Sequence, residues 1–200
     1  MASADLDHDG YDDLAIGVPD ESLGSATSAG AVQVLFGTAD GLAAARNQLW
    51  TQNTPDVDDT AESNDRFGVA LTVGDFNGDT TPDLVIGVEE TLGAATQAGA
   101  VHVLYGRGNQ GPQTDRIEFW TQNSSGMEDS AEVGDFFGDS LAAGFFDGDR
   151  FGELVVGVPS EALSTVQDVG AAAVLFGEME TFFVDGFESG DTTAWSLTQN

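Results

Sequence analysis

Apolar residues in this chain come in short runs separated by polar punctuation. Stretches of four to seven residues rich in Val, Ile, Leu and Phe alternate with clusters of Gly, Asp, Asn, Thr and Pro. Short runs of this composition, bounded by turn formers, predict β-strands. No apolar stripe at helical spacing persists for three turns. The Ala-rich stretch 41–46 is too short to stand as a helix alone.

The pattern repeats about every 70 residues. DDLAIGVP (Asp12 to Pro19) recurs as PDLVIGVE (Pro82 to Glu89) and GELVVGVP (Gly152 to Pro159). GAVQVLFG (Gly30 to Gly37) recurs as GAVHVLYG (Gly99 to Gly106) and GAAAVLFG (Gly170 to Gly177). LWTQN (Leu49 to Asn53) recurs as FWTQN (Phe119 to Asn123), and Phe67-Gly68 as Phe137-Gly138. In the complete middle unit the pattern predicts strands over Phe67–Val73, Asp83–Val88, Ala100–Tyr105 and Ile117–Thr121. Four antiparallel strands repeated in sequence are the mark of a propeller blade. A β-solenoid, the alternative, uses shorter repeats.

The predicted fold is therefore all-β: about three four-stranded antiparallel blades of an incomplete β-propeller. Residues 1–65 make blade 1, whose inner strand is expected to fall before Met1. Residues 66–135 make blade 2, residues 136–184 blade 3, and residues 185–200 a C-terminal tail outside the repeat. Propellers close with about 4 to 8 blades. Further blades are thus expected from a longer chain or from self-association.

Charge sharpens the picture. Thirty-five acidic residues face 5 basic ones, for a formal net charge of −30. Such a chain repels nucleic acid and anionic lipid. With 40% hydrophobic residues, 13 Phe and 3 Trp, it is not a disordered acidic tail. It has no cysteine, so no disulfide holds it. No apolar run reaches the roughly 18 residues of a membrane span. MASADLDHDG at the N-terminus has neither the basic nor the apolar region of a signal peptide.

The acidic residues cluster between the first and second strand of each unit. Asp5, Asp7, Asp9 and Asp13 stand at positions 1, 3, 5 and 9 of the first loop, DLDHDGYDD. Asp75, Asn77, Asp79 and Asp83 hold the same positions in DFNGDTTPD. Alternating oxygen donors followed by a turn and another carboxylate can wrap one hard cation. Calcium accepts about six to eight oxygens in irregular geometry, which favours it over magnesium. The carbonyls of Tyr11 and Thr81, at position 7, would add a ligand each. The motif is no EF-hand, because position 12 is Ile16, Ile86 and Val156, inside strands. Thr80 replaces Gly10 at a place where positive φ is expected. The third loop, FFDGDRFGE, is degenerate. Phe145 opens it, and only Asp147 and Asp149 match, with Phe151 at position 7 and Glu153 at position 9. Arg150, at position 6, could substitute for part of an ion's charge. The competing reading of all three loops is an acidic turn in which Asp serves as turn former.

These residues resemble the FG-GAP repeat family, the blades of the integrin alpha-subunit propeller and its bacterial relatives. Phe67-Gly68, the Asp75–Asp83 loop, DLVIGV and Gly99-Ala100-Val101 carry the likeness in the middle unit. The likeness covers about residues 1 to 177. It implies about seven blades, calcium in the hairpins between strands 1 and 2, and extracellular adhesion or binding.

The resulting expectation is a non-catalytic, secreted or cell-surface module that binds calcium at two loops, with a weaker third. Its partner would be a protein or a glycan. A lectin-like propeller, or the scaffold of a polysaccharide-cleaving enzyme, is the alternative. His8 and His102 read as solvated or structural, and Trp50 and Trp120 as blade packing. Asn123-Ser124-Ser125 fits a glycosylation sequon.

Overall fold

The short apolar runs become twelve strands among the described residues. The computed structural model describes residues 1–127, 129–162, 169–177 and 183–186, the last four as backbone. β1 (Ala2–Ala4), β2 (Asp13–Val18), β3 (Ala31–Phe36) and β4 (Ala43–Trp50) form one antiparallel sheet in sequence order. β5 (Leu71–Gly74), β6 (Asp83–Val88), β7 (Ala100–Arg107) and β8 (Gly111–Trp120) form the second. β9 (Ser140–Gly144), β10 (Glu153–Val158), β11 (Ala171–Phe176) and β12 (Phe183–Gly186) form the third. No helix occurs among the described residues. The chain is all-β: three four-stranded blades of an unclosed propeller.

Several boundaries differ from the sequence expectation, the first two for one shared reason. Phe67 and Gly68 do not begin a strand. Phe67 instead forms an isolated parallel bridge with Gly30 of the preceding blade, and Phe137 does the same with Gly99. The inner strand therefore starts only at Leu71. Shifted back by one repeat, that start falls at Met1 rather than before it. The inner strand of blade 1 is thus present as β1, with Ala2 opposite Ala15 and Ala4 opposite Asp13. Its Ala-Ser-Ala sequence offers no apolar run to reveal it. The outer hairpin of blade 2 is also longer than expected, with β7 and β8 paired out to Arg107 and Gly111 across an irregularity after Leu104. In blade 3, β12 runs to Gly186. The rest of the tail lies outside the described residues.

Packing follows strand alternation. Leu84, Ile86 and Val88 of β6 face blade 1 with Val32, Val34 and Phe67, while Val85 faces blade 3 with Phe137, Leu154 and Val156. All six residues of β6 are buried, because this sheet is covered on both faces. The Phe-Gly pair is the plug between blades. Phe67 N–H donates to Ala29 O at 2.9 Å, and Phe137 N–H to Ala98 O at 2.8 Å. Both phenyl rings are fully buried.

Candidate metal centres

The Asp loops join β1 to β2, β5 to β6 and β9 to β10, so all three lie at the same end of their sheets. Each is built by carboxylates that accept N–H groups of their own loop. In the first, Asp5 accepts from Asp9 and Gly10, both at 2.9 Å, and Asp9 accepts from Tyr11 at 3.0 Å. In the second, Asp75 accepts from Asp79 at 3.1 Å and Thr80 at 2.8 Å, while Asn77 accepts from Asp79 at 2.9 Å. Asp79 in turn accepts from Thr81 at 2.8 Å. The third keeps only the later part, with Asp147 accepting from Asp149 at 2.9 Å and Asp149 from Phe151 at 2.7 Å. Phe145 has no side-chain oxygen to offer and is exposed. The position-7 residues Tyr11, Thr81 and Phe151 are thus all placed through their N–H groups. Thr80 takes φ 74, beside φ 94 at Gly10, so the expected left-handed turn is made despite a β-branched residue.

The position-9 carboxylate ties the loop to the sheet. Asp13 accepts from Leu6 at 2.7 Å with one oxygen and from Gly37, past the end of β3, at 2.7 Å with the other. Asp83 bridges Phe76 and Gly106 in the same way, at 2.9 and 2.8 Å. Glu153 accepts from Phe146. All three are buried, and burial pushes each carboxyl above its ordinary range, Asp83 up to about 8.

Carboxylate oxygens of Asp5, Asp7 and Asp13 all lie within 4.8 Å of one another, as do those of Asp147, Asp149 and Glu153. An ion about 2.4 Å from each oxygen can span separations of that size. Among the described residues the second loop forms no such carboxylate trio. Its third position is the amide of Asn77. Asp9 and Asp79 stand outside these trios. The degenerate third loop therefore brings its acids together more closely than its sequence suggested.

Asp7 is fully buried, and neither carboxylate oxygen has a hydrogen-bond partner. Arg46 Nη1 lies 3.0 Å from its Oδ2, an ion pair without hydrogen-bond alignment, which leaves Oδ1 with no counter-group. Glu153 Oε1 is likewise buried without a partner. Orphaned oxygens in an all-oxygen donor set fit a hard cation. Arg46 was not foreseen. It reaches the loop from β4, its φ is 64, and its guanidinium lies over the Phe36 ring. Arg150 does not play the part expected of it. Its guanidinium lies 4.8 Å from the centre of the Phe151 ring and makes no ion pair among the described residues.

His8 is exposed at φ 57. His102 is buried between Phe67 and Phe119, with ring centres 5.5 and 4.8 Å away, and burial holds it down to about 3. It is a neutral core residue. Trp50 is buried at the blade junction, and its indole N–H donates to Gln48; Trp120 donates to Glu118. Sequence reasoning missed one recurrent group, Glu62, Asp65 and Glu90, with its copy Glu132, Asp135 and Glu161. Their recurrence was visible, but nothing in so acidic a chain marked them as buried.

The repeat landmarks, the blade geometry and the Asp loops agree with a direct comparison. The FG-GAP repeat model matches residues 1–35 and 67–104. The chain carries FG-GAP repeats. The matched segments contain the first two loops and the Phe67-Gly68 plug. Among similar proteins, the phosphatidylinositol-glycan-specific phospholipase D of Rattus norvegicus is 38% identical over 107 residues, 53% of this chain and 13% of that protein. The Bos taurus protein of the same name is 33% identical over 164 residues, 80% of this chain and 18% of that protein. Integrin alpha-PS2 of Drosophila melanogaster is 30% identical over 166 residues, 80% of this chain and 11% of that protein. The FG-GAP module described here spans less than a fifth of each of these relatives. Among the described residues no helix is long and apolar enough to cross a membrane.

Proposed function

We propose that this FG-GAP module binds calcium in its Asp loops and serves outside the cell as a non-catalytic adhesion or protein-interaction unit. The observation that carries the calcium reading is the first loop. Asp5, Asp7 and Asp13 converge there, and a buried Asp7 oxygen has no partner. Asp9 and the Tyr11 carbonyl complete the donor set suggested by sequence. Asp75, Asn77, Asp79, Thr81 and Asp83 would hold a second ion, and Asp147, Asp149, Phe151 and Glu153 a third. A bound ion supplies positive charge where buried carboxylates otherwise face one another. It would couple β1 to β2 and, through the Asp13 link to Gly37, the end of β3 as well. Its binding free energy then adds to folding stability.

The adhesion reading rests on the likeness to an integrin alpha chain. The non-catalytic reading rests on most of the loop acids, Asp7 excepted, accepting backbone hydrogen bonds, and on His102 being sealed in the core. The glycan alternative draws no support from Trp50, which is 5% exposed.

Isothermal titration of metal-free protein with calcium tests the reading. Uptake, with an Asp7→Asn variant losing one ion, is expected. At roughly a hundredfold excess over Kd each ion should contribute about 2.7 kcal/mol of stability. Absence of uptake, or an unchanged melting temperature in calcium, sinks it. For the second half of the reading, capture of a protein partner that is released by a chelator is the expected result.

A further inference from the structure

The Asp loops leave the recurrent Trp-Thr-Gln-Asn motif unexplained. In the structure it lies at the junction between blades. Asn53 accepts from Ala61 at 3.3 Å, and Asn123 from Ala131 at 3.2 Å, so the motif grips the segment leading to each Phe-Gly plug. The glutamine points elsewhere. Gln52 Nε2 lies 2.6 Å from Glu90 Oε2, and Gln122 donates in the same way to Glu161. Each of these glutamates belongs to a trio whose oxygens lie within 4.8 Å of one another: Glu62, Asp65 and Glu90 at one junction, Glu132, Asp135 and Glu161 at the next.

Among the described residues no arginine pairs with the carboxylates of either trio. Asp65 and Asp135 are 2% exposed, and Glu90 and Glu161 are 1% exposed. The arginine ion pairs go to Asp7, Asp20, Glu89, Asp115 and Glu118, none of them in these trios. Buried carboxylates this close together require a proton or a cation. Each trio also has a buried neighbour with an unpartnered oxygen. Gln52 is 1% exposed and Gln122 6%, yet the Oε1 atom of each has no hydrogen-bond partner. An unpartnered amide oxygen sits on a head group already against the glutamate, and the arrangement occurs twice. Glu62 and Glu132 reach solvent and give an ion a way in.

We infer that each junction holds one hard divalent cation, calcium in the first instance, between the glutamine and two carboxylates at the end of one blade and the glutamate of the next. Three carboxylates within reach of one ion, with no sulfur or imidazole among them, suit calcium and disfavour soft metals. These sites are distinct from the Asp loops. Asp83 opens β6, whereas Glu90 lies two residues past its other end, so the two sets occupy opposite ends of the blades. The loop ion clips strands within a blade, and the junction ion clips one blade to the next.

Equilibrium dialysis of the whole chain against calcium alone separates the two sets. Glu90→Gln combined with Glu161→Gln should bind two fewer ions per chain than the wild type, with the Asp7→Asn loss unchanged. Wild-type stoichiometry in that double variant overturns the inference even if the loops bind. Loss confined to the double variant sustains it even if the loops do not. A second variant guards against simple misfolding. Gln52→Glu adds an oxygen and a charge, so calcium should raise its melting temperature by more than it raises that of the wild type. An equal or smaller rise, or failure to fold in calcium, overturns the inference as well.

Discussion

Gly99 sits so close to Phe137 that a Cβ on the glycine would lie 2.3 Å from the phenylalanine carbonyl oxygen and 2.5 Å from its nitrogen. The glycine is at φ 86, and its amide donates to Glu90 O at 3.0 Å. The glycine of the third strand and the Phe-Gly of the following repeat are therefore two halves of one contact. Gly99→Ala should destabilise the chain by about 3 kcal/mol, since clash adds to a strained backbone. Gly24→Ala is the control. It carries the same sign of φ with nothing within 4 Å and should cost about 1 kcal/mol. Urea melts of the two variants measure the difference.

Thr80 pays for its place in the second loop with a left-handed backbone, φ 74. Its amide donates to Asp75 Oδ2 at 2.8 Å, a contact that glycine preserves. Thr80→Gly should therefore raise stability by about 1 kcal/mol through relief of strain. A lowered thermal midpoint would count against this account.

The buried carboxylates set a pH slope. Burial raises Asp83 from 3.8 to about 8, and raises Glu90 and Glu161 to about 7 and Asp65 to about 6. A group raised in the folded state contributes its full stabilisation below its unfolded value and loses it as pH climbs through the folded one. Metal-free protein should thus weaken steadily as pH rises from 3.8 toward about 8. Saturating calcium should flatten that slope at neutral pH. Thermal midpoints across the range, with and without calcium, show whether it does, and parallel slopes would argue against ion binding at these carboxylates.

His102 acts in the opposite direction. Its ring is held down to about 3 against an ordinary 6.5, and both ring nitrogens are buried without partners. A group lowered in the folded state stabilises above its unfolded value, and that stability drains away as pH falls toward the folded one. His102→Leu should be neutral or stabilising at pH 7, because no hydrogen bond is lost. Near pH 5 the variant should be ahead by about 2 kcal/mol. Denaturant titrations at the two pH values test this.

Much of this molecule was legible in the sequence. The equal spacing of Leu14, Leu84 and Leu154 set the repeat, and the apolar runs placed β2, β3, β6 and β7. Contacts between repeats were harder to see, because periodicity reports what recurs and not what touches. Phe67 joined an apolar run and so read as strand, although its ring fills the neighbouring blade. Ala2–Ala4 lacked large side chains and vanished from the pattern. The loop acids stood out by their alternating spacing. Asp65 and Glu90 are separated in sequence and meet only after folding, and Arg46 reaches Asp7 from a different strand.

The Phe-Gly plug has a consequence for synthesis. Residues 29–31 leave the ribosome well before Phe67, so the receptor is made first and the insert arrives later. Each unit is completed by its successor, and assembly can advance in one direction, from N- to C-terminus, without waiting for the ring to close.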